Sequence, residues 1–267
     1  MAVPAARTPV VFIHGLWLHA DSWKPWIDLF RAAGYDPIAP GWPGDSPTVA
    51  ESNAHPERIA NVGIDDVVEH YAAIIRKLPA KPIVIGHSFG GLVAQKLLGM
   101  GLAAAAVALD PAQIRGVLPL PFAQLKSAFP VLGNPFNYKK AVSQTPKQFY
   151  FGFGNAVSEQ ESNTLHAKYH IPAPGRPLFE AAFANLLPNT PAKVDTKATR
   201  GPLLITGGGK DHTVPEVVSR AAYKLYRKAP SVTEYKVFAD RGHSLTVDSG
   251  WKEVANASLS WLQSKGM

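Results

Sequence analysis

Pro82-Ile83-Val84-Ile85 runs into Gly86-His87-Ser88-Phe89-Gly90, and Leu92-Val93-Ala94-Gln95-Lys96-Leu97-Leu98 follows. The first run is short, apolar and β-branched, as a buried strand is, and the last has the composition of a helix. A G-x-S-x-G turn between strand and helix holds its serine in a sharp, strained conformation, with the hydroxyl standing clear of the sheet. The steric demand falls on positions 86 and 90, where strand and helix come too close for a side chain. The N–H of Phe89 then lies at a helix N-terminus, where donors and the helix dipole favour a developing oxyanion.

Outward from this turn the chain alternates. Thr8–Ile13, Tyr35–Pro40, Ala104–Asp110, Pro202–Thr206 and Tyr235–Phe238 read as further strands. Trp23, Trp26, Ile27 and Phe30 share one helix face, with Ser22 as a candidate cap. Ile64, Val67, Val68, Tyr71, Ile74, Ile75 and Leu78 keep the 3.6-residue period over four turns, and two more amphipathic helices lie near 215–225 and 251–262. The pattern predicts an α/β fold, a mostly parallel sheet covered by helices on both faces and built from residues 1–112 and 199–267. Residues 113–198 break the alternation. They are rich in proline and aromatics and read as an inserted, mainly helical cap, with a capping box at Ser158–Glu161.

The 267 residues are 46% hydrophobic and 18% charged, as in a soluble globular protein. No apolar run is long enough to span a membrane, and Met1–Pro9 lacks the regions of a signal peptide, so a cytoplasmic location is expected. The absence of cysteine excludes disulfides, thiolate metal sites and a thiol nucleophile. The net charge of +7 is concentrated: residues 113–200 hold ten Lys/Arg against four Asp/Glu. This excess suits a solvated surface, an anionic substrate or an anionic surface. No basic run or motif points to nucleic acid.

In open α/β sheets ligands bind beyond the carboxyl ends of the strands. Gly15-Leu16, Ser88, Asp110, Asp211 and His243 all follow predicted strands and would share that edge. A serine hydroxyl needs a base that can later return its proton near neutral pH, which is histidine's range, and a carboxylate to fix the imidazole tautomer. Ser88, Asp211 and His243 occur in that order, with Asp110 as an alternative acid.

The elbow, this order, Val11-Phe12-Ile13-His14-Gly15-Leu16, Gly208-Gly209-Lys210-Asp211-His212-Thr213-Val214-Pro215 and Arg241-Gly242-His243-Ser244 together resemble the α/β-hydrolase superfamily over nearly the whole chain. The resemblance implies Ser88 as nucleophile, His243 as base and then acid, Asp211 as orienting acid, and the N–H groups of Leu16 and Phe89 as oxyanion donors. Trp17 either walls the pocket or belongs to the core. His14 matches a structural position, and a serine at the elbow argues against the aspartate-nucleophile relatives.

Other polar residues receive simpler readings. Asp45 and His212 read as turn residues, Asp45 solvated, and His87 as pointing away from the line of attack. His166 and His170 are spaced as ligands on one helix but lack a carboxylate, so neither a metal nor a cofactor is expected. The expected chemistry is hydrolysis of small to medium, moderately hydrophobic carboxylic esters through an acyl-enzyme, with cap phenylalanines at 122, 129, 136, 149, 151, 153, 179 and 183 lining an apolar pocket. A cofactor-free perhydrolase of haloperoxidase type, a C–C bond hydrolase and an acyltransferase share the same triad. A ligand-binding receptor on the same fold is the non-enzymatic alternative. The partner expected is a small-molecule acyl substrate, and the residues leave the oligomeric state open.

Overall fold

The computed structural model describes residues 7–267. Six strands form one sheet: β1 (Pro9–Ile13), β2 (Asp36–Ile38), β3 (Ile83–His87), β4 (Ala105–Leu109), β7 (Leu203–Gly208) and β8 (Thr233–Phe238). Their order is β2-β1-β3-β4-β7-β8, and every pairing is parallel.

Side chains alternate across a strand, so each strand feeds two cores. Val11, Ile13, Val84, Ala106, Ala108 and Ile205 point to one face. There they meet α3 (Ile64–Ile75), α4 (Phe89–Gly99) and α9 (Glu216–Leu225). Val10, Phe12, Ile83, Ile85, Val107 and Leu204 point to the other. They meet α1 (Lys24–Ala32) and α10 (Trp251–Ser264). Phe12 anchors this second core, stacked on Trp23 at 4.9 Å and edge-on to Phe30 at 5.3 Å.

Some boundaries depart from the sequence reading. Ser22 does not cap α1. It is buried in a 3-10 turn, Ala20–Trp23, whose cap is the His19 ring accepting from the Asp21 N–H. The α3 pattern runs to Leu78, but the helix stops at Ile75 and the chain continues in turns. A short helix at Val49–Ala54 (α2), capped by Thr48, was not anticipated.

Between β4 and β7 the chain runs through α5 (Phe122–Leu132), α6 (Pro146–Gly152), α7 (Glu159–Tyr169) and α8 (Arg176–Ala182). A two-stranded antiparallel ribbon joins β5 (Ala141–Val142) to β6 (Ala173–Pro174). Ser158 caps α7 by accepting from the Glu161 N–H, but no box closes. The Glu161 carboxylate instead accepts from Ser249 N–H at 2.6 Å and ties the segment to the loop after β8. Among the described residues no helix is long and apolar enough to cross a membrane.

His166 and His170 are used within this segment. Their rings stack at 4.3 Å and both turn Nε2 to Gln144: His166 donates to its carbonyl at 2.9 Å, and His170 accepts from its N–H at 3.0 Å. Burial, and secondarily the neighbouring His166, push the His170 pKa down to about 3. Its unfolded value is near 6.5. Stability from neutral His170 is therefore complete above about pH 6.5 and is lost as pH falls toward 3. Denaturant titration should show wild type losing roughly 3 kcal/mol more than His170→Gln between pH 7 and pH 4. Equal losses would mean that His170 is protonated without cost.

Candidate active site

The turn after β3 is as strained as its sequence demands. Ser88 has φ 56° and ψ −120°, the left-handed side of the map, at a residue with a Cβ. A Cβ on Gly86 would lie 2.0 Å from the carbonyl oxygen of Gly90, and one on Gly90 would lie 2.1 Å from that of Ile13. Glycine at both positions is what lets α4 start directly against β1 and β3. The loop after β1 is equally close: a Cβ on Gly15 would stand 2.7 Å from that of Ser88. Among the described residues neither the N–H of Leu16 nor that of Phe89 donates to a protein acceptor. Trp17 also has positive φ, 65°. It is buried, and its Nε1 donates to the carbonyl of Val142 at 2.9 Å.

Asp211 and His243 come from the loops after β7 and β8. One carboxylate oxygen of Asp211 accepts from the N–H groups of Thr213 and Val214, both at 2.7 Å. The other accepts from His243 Nδ1 at 2.6 Å. A carboxylate only accepts, so Nδ1 carries the proton and Nε2 has a free lone pair. No protein group among the described residues occupies that Nε2. Phe153 meets the His243 ring edge-on at 4.7 Å, and the His87 ring lies 4.6 Å from it. His87 thus supports the His243 ring. Burial first, and then His243, hold the His87 imidazole well below its ordinary pKa, so it packs as a neutral ring.

Asp110, directly after β4, does not bond His243 in this structure. Its φ is 42°, and its carboxyl accepts from Thr206 Oγ1 at 2.9 Å and from Gly208 N–H at 2.8 Å. Ligand-type atoms of Asp110, Asp211 and His243 all lie within 4.8 Å of one another. Burial, and then the Asp211 carboxylate, hold the Asp110 carboxyl well above the usual carboxylate range, a shift toward its protonated form. Both oxygens of each carboxyl already have protein partners.

Two sequence expectations are corrected here. Asp45 is not a solvated turn residue. Its side chain is 4% exposed and accepts from His14 Nε2 and the Trp42 N–H, both at 2.8 Å. Trp42 stacks on His14, so this cluster holds the loop that carries Gly15 and Leu16. The phenylalanines of residues 113–198 do not line the cavity beside Ser88. That cavity, of about 130 Å³, is walled by Trp17, Ser88, Phe89, Leu120, Leu125 and Val214 among others, and is mostly apolar. Phe149 and Phe153 are core residues, while Phe122, Phe129, Phe136 and Phe183 face solvent. His212, by contrast, sits in its turn with Nδ1 on the carbonyl of Phe151.

The leucine wall went unseen in the sequence, although Leu125 and Leu132 share a face of α5. The contact of Asp110 with Asp211 had no local signal, because it joins loops a hundred residues apart.

A profile of the alpha/beta hydrolase family matches residues 10–257. A non-heme chloroperoxidase of Burkholderia pyrrocinia is 26% identical over an alignment of 275 residues, covering 96% of this chain and 91% of that protein. Among solved structures, a monoacylglycerol lipase of Paleococcus ferrophilus superposes with a TM-score of 0.68 at 21% identity, covering 97% of this chain and 96% of that one. A methylesterase from Arabidopsis superposes with a TM-score of 0.65 at 20% identity, covering 96% and 99%. With the family profile spanning most of the parallel sheet and its covering helices, this chain belongs to the alpha/beta hydrolase family.

Proposed function

We propose that the protein is a serine hydrolase that cleaves carboxylic esters through Ser88, His243 and Asp211. The observation that carries this reading is the Asp211–His243 hydrogen bond, which leaves Nε2 as an open base while Ser88 stands on a strained elbow beside an apolar cavity. Nε2 would take the Ser88 proton as Oγ attacks the ester carbonyl. The N–H groups of Leu16 and Phe89 would hold the oxyanion, and each such donor is typically worth ~2.7–4 kcal/mol in the transition state. Nε2–H then protonates the departing alcohol, and water activated by the same nitrogen frees the acid. Asp211 keeps the tautomer and balances the imidazolium.

The cavity's size and apolar wall support short to medium acyl chains. With nitrophenyl esters of increasing length, kcat/KM should rise about fourfold per methylene until the cavity fills, and then level or fall. A fluorophosphonate should label Ser88 stoichiometrically in the same preparation. Labelling without turnover would leave the nucleophile and remove ester hydrolysis; no labelling would remove both.

The similarity to a chloroperoxidase favours one second reading. Hydrogen peroxide in place of water would open the same acyl-serine, giving a peracid and free Ser88 with no redox change at the protein. The peracid would then oxidise halide. Halide-dependent bromination of a dye in acetate and peroxide, lost in Ser88→Ala, tests it.

A further inference from the structure

The outer face of α5 exposes large apolar side chains, although its inner face buries Val131. Phe122, Leu125 and Phe129, at i, i+3 and i+7, are exposed, while Ser127 on the opposite side is buried. Phe122 is 79% and Phe129 69% exposed. Phe136 follows in the next turn, which packs on α5. Leu118 is held beside the segment after α8: Asn185 accepts from Gly116 N–H and donates to the carbonyl of Val117, both at 2.7 Å. Leu186 and Phe183, both exposed, thereby join the same edge. Of the thirteen large exposed hydrophobic residues in the described chain, nine fall between 118 and 187, so the apolar exposure is concentrated in this segment.

Charge on this segment is one-sided. From Pro111 to Ser158 there is no Asp or Glu, and there are five cations: Arg115, Lys126, Lys139, Lys140 and Lys147. All five are exposed, and none forms an ion pair among the described residues. The cavity beside Ser88 reaches the surface on this face, because Leu120 and Leu125 both line it and are exposed.

We propose that this face docks on an anionic lipid surface, with the phenylalanines and leucines entering the acyl boundary and the unpaired lysines and arginine meeting lipid phosphates. Exposed aromatic and aliphatic side chains beside free cations are what an interfacial binder needs, since apolar insertion and attraction to anionic headgroups act together. Seated this way, the cavity mouth would open toward the bilayer. Together with the ester-hydrolase reading, on which this last step rests, that makes lipid-borne esters the substrates presented to Ser88.

Flotation of the full chain with vesicles of phosphatidylcholine, alone or with 30% phosphatidylglycerol (roughly the anionic share that gives a strong surface potential), tests docking without reference to catalysis. Binding should be strong with the anionic vesicles, weak with the neutral ones, and should fall steeply between low and high salt. The double variant Phe122→Ser/Phe129→Ser should lose at least about tenfold in vesicle partitioning, and so should Lys139→Glu/Lys140→Glu. Both should keep wild-type melting temperature and wild-type turnover of a soluble short ester, because none of these side chains lines the cavity. No flotation with anionic vesicles at low salt would overturn the proposal. So would a wild-type dimer in sedimentation velocity that Phe122→Ser/Phe129→Ser dissociates, since a second copy would then cover the face. Loss of soluble-ester turnover with docking intact would instead count against the hydrolase reading alone.

Discussion

Asp211→Asn should lower kcat for ester hydrolysis by about 10⁴-fold and Ser88→Ala by about 10⁶-fold, while Asp110→Asn should change it by less than about tenfold. The contrast follows from what each carboxyl faces. Asn at position 211 can still accept from Thr213 and Val214 through its oxygen. That leaves the NH₂ group toward His243 Nδ1, in place of the oxygen that accepts at 2.6 Å. The imidazole then moves its proton to Nε2, and the atom that should take the Ser88 proton is a donor. Asp110→Asn breaks no bond to His243, because the Asp110 carboxyl faces Thr206 and Gly208, and burial beside Asp211 already shifts it toward its neutral form. Steady-state rates, normalised to fluorophosphonate-titrated sites for the two Asn variants and to folded protein for Ser88→Ala, measure all three. A large loss for Asp110→Asn with a small one for Asp211→Asn would move the orienting acid to the end of β4.

The same Asp110 shift has a consequence for stability. Burial and Asp211 raise the folded-state pKa of Asp110 above its unfolded value near 3.9. The unfolded chain therefore releases this proton first as pH rises. Stability that is complete below about pH 4 declines as pH climbs toward the folded pKa. Asp110→Asn removes that slope, so the variant should gain on wild type between pH 4 and pH 7 in denaturant titrations.

The parallel frame was legible because two periods are written plainly into the chain. Val10 to Ile13 and Ile83 to Ile85 are apolar at every position, which only a strand covered on both faces requires, and Val67, Val68, Tyr71 and Ile75 repeat at the helical period. Residues near strand ends could be listed for the same reason. Their pairings could not be read so directly. Asp45 looked like a turn residue by local composition, and only the return of the chain past His14 shows it as a buried acceptor. Trp17, Ser88 and Asp110 all take positive φ at non-glycine positions. Of these only Ser88 announced itself, because its strain is fixed by flanking glycines within one pentapeptide. No such glycine pair flanks Trp17 or Asp110. Residues 113–198 were the least legible, since α5 shows solvent Phe122 and Phe129 while burying Ser127 along with Val131, so hydrophobicity alone does not mark its inner face.

Gly90→Ala should cost more than about 4 kcal/mol, the range reserved for mutations that break a tightly packed element, and would consume much of an ordinary domain's ~5–15 kcal/mol. The added methyl would sit 2.1 Å from the carbonyl oxygen of Ile13 and 2.7 Å from that of His14, both backbone atoms of the strand and loop that also carry Leu16. Neither can rotate away as a side chain would, so α4 must lift off β1 or the turn at Ser88 must unwind. Two further alanines grade the effect. Gly91→Ala meets Pro111 Cβ at 2.9 Å and two backbone atoms, the Gly86 carbonyl oxygen and Pro111 Cα, at 3.1 Å, looser than at Gly90, and should cost about 1–3 kcal/mol as an overpacked contact. Gly99→Ala, at the last turn of α4, meets nothing nearer than 3.4 Å and should gain up to about 1 kcal/mol from helix propensity alone. Urea titration of the three variants reads the order directly, with soluble yield as the measure if Gly90→Ala does not fold. A Gly90→Ala protein within about 1 kcal/mol of wild type would mean that helix and strand can separate freely at this point. Ser88 would then sit on a relaxed turn, and the strain that presents its hydroxyl to the cavity would not exist.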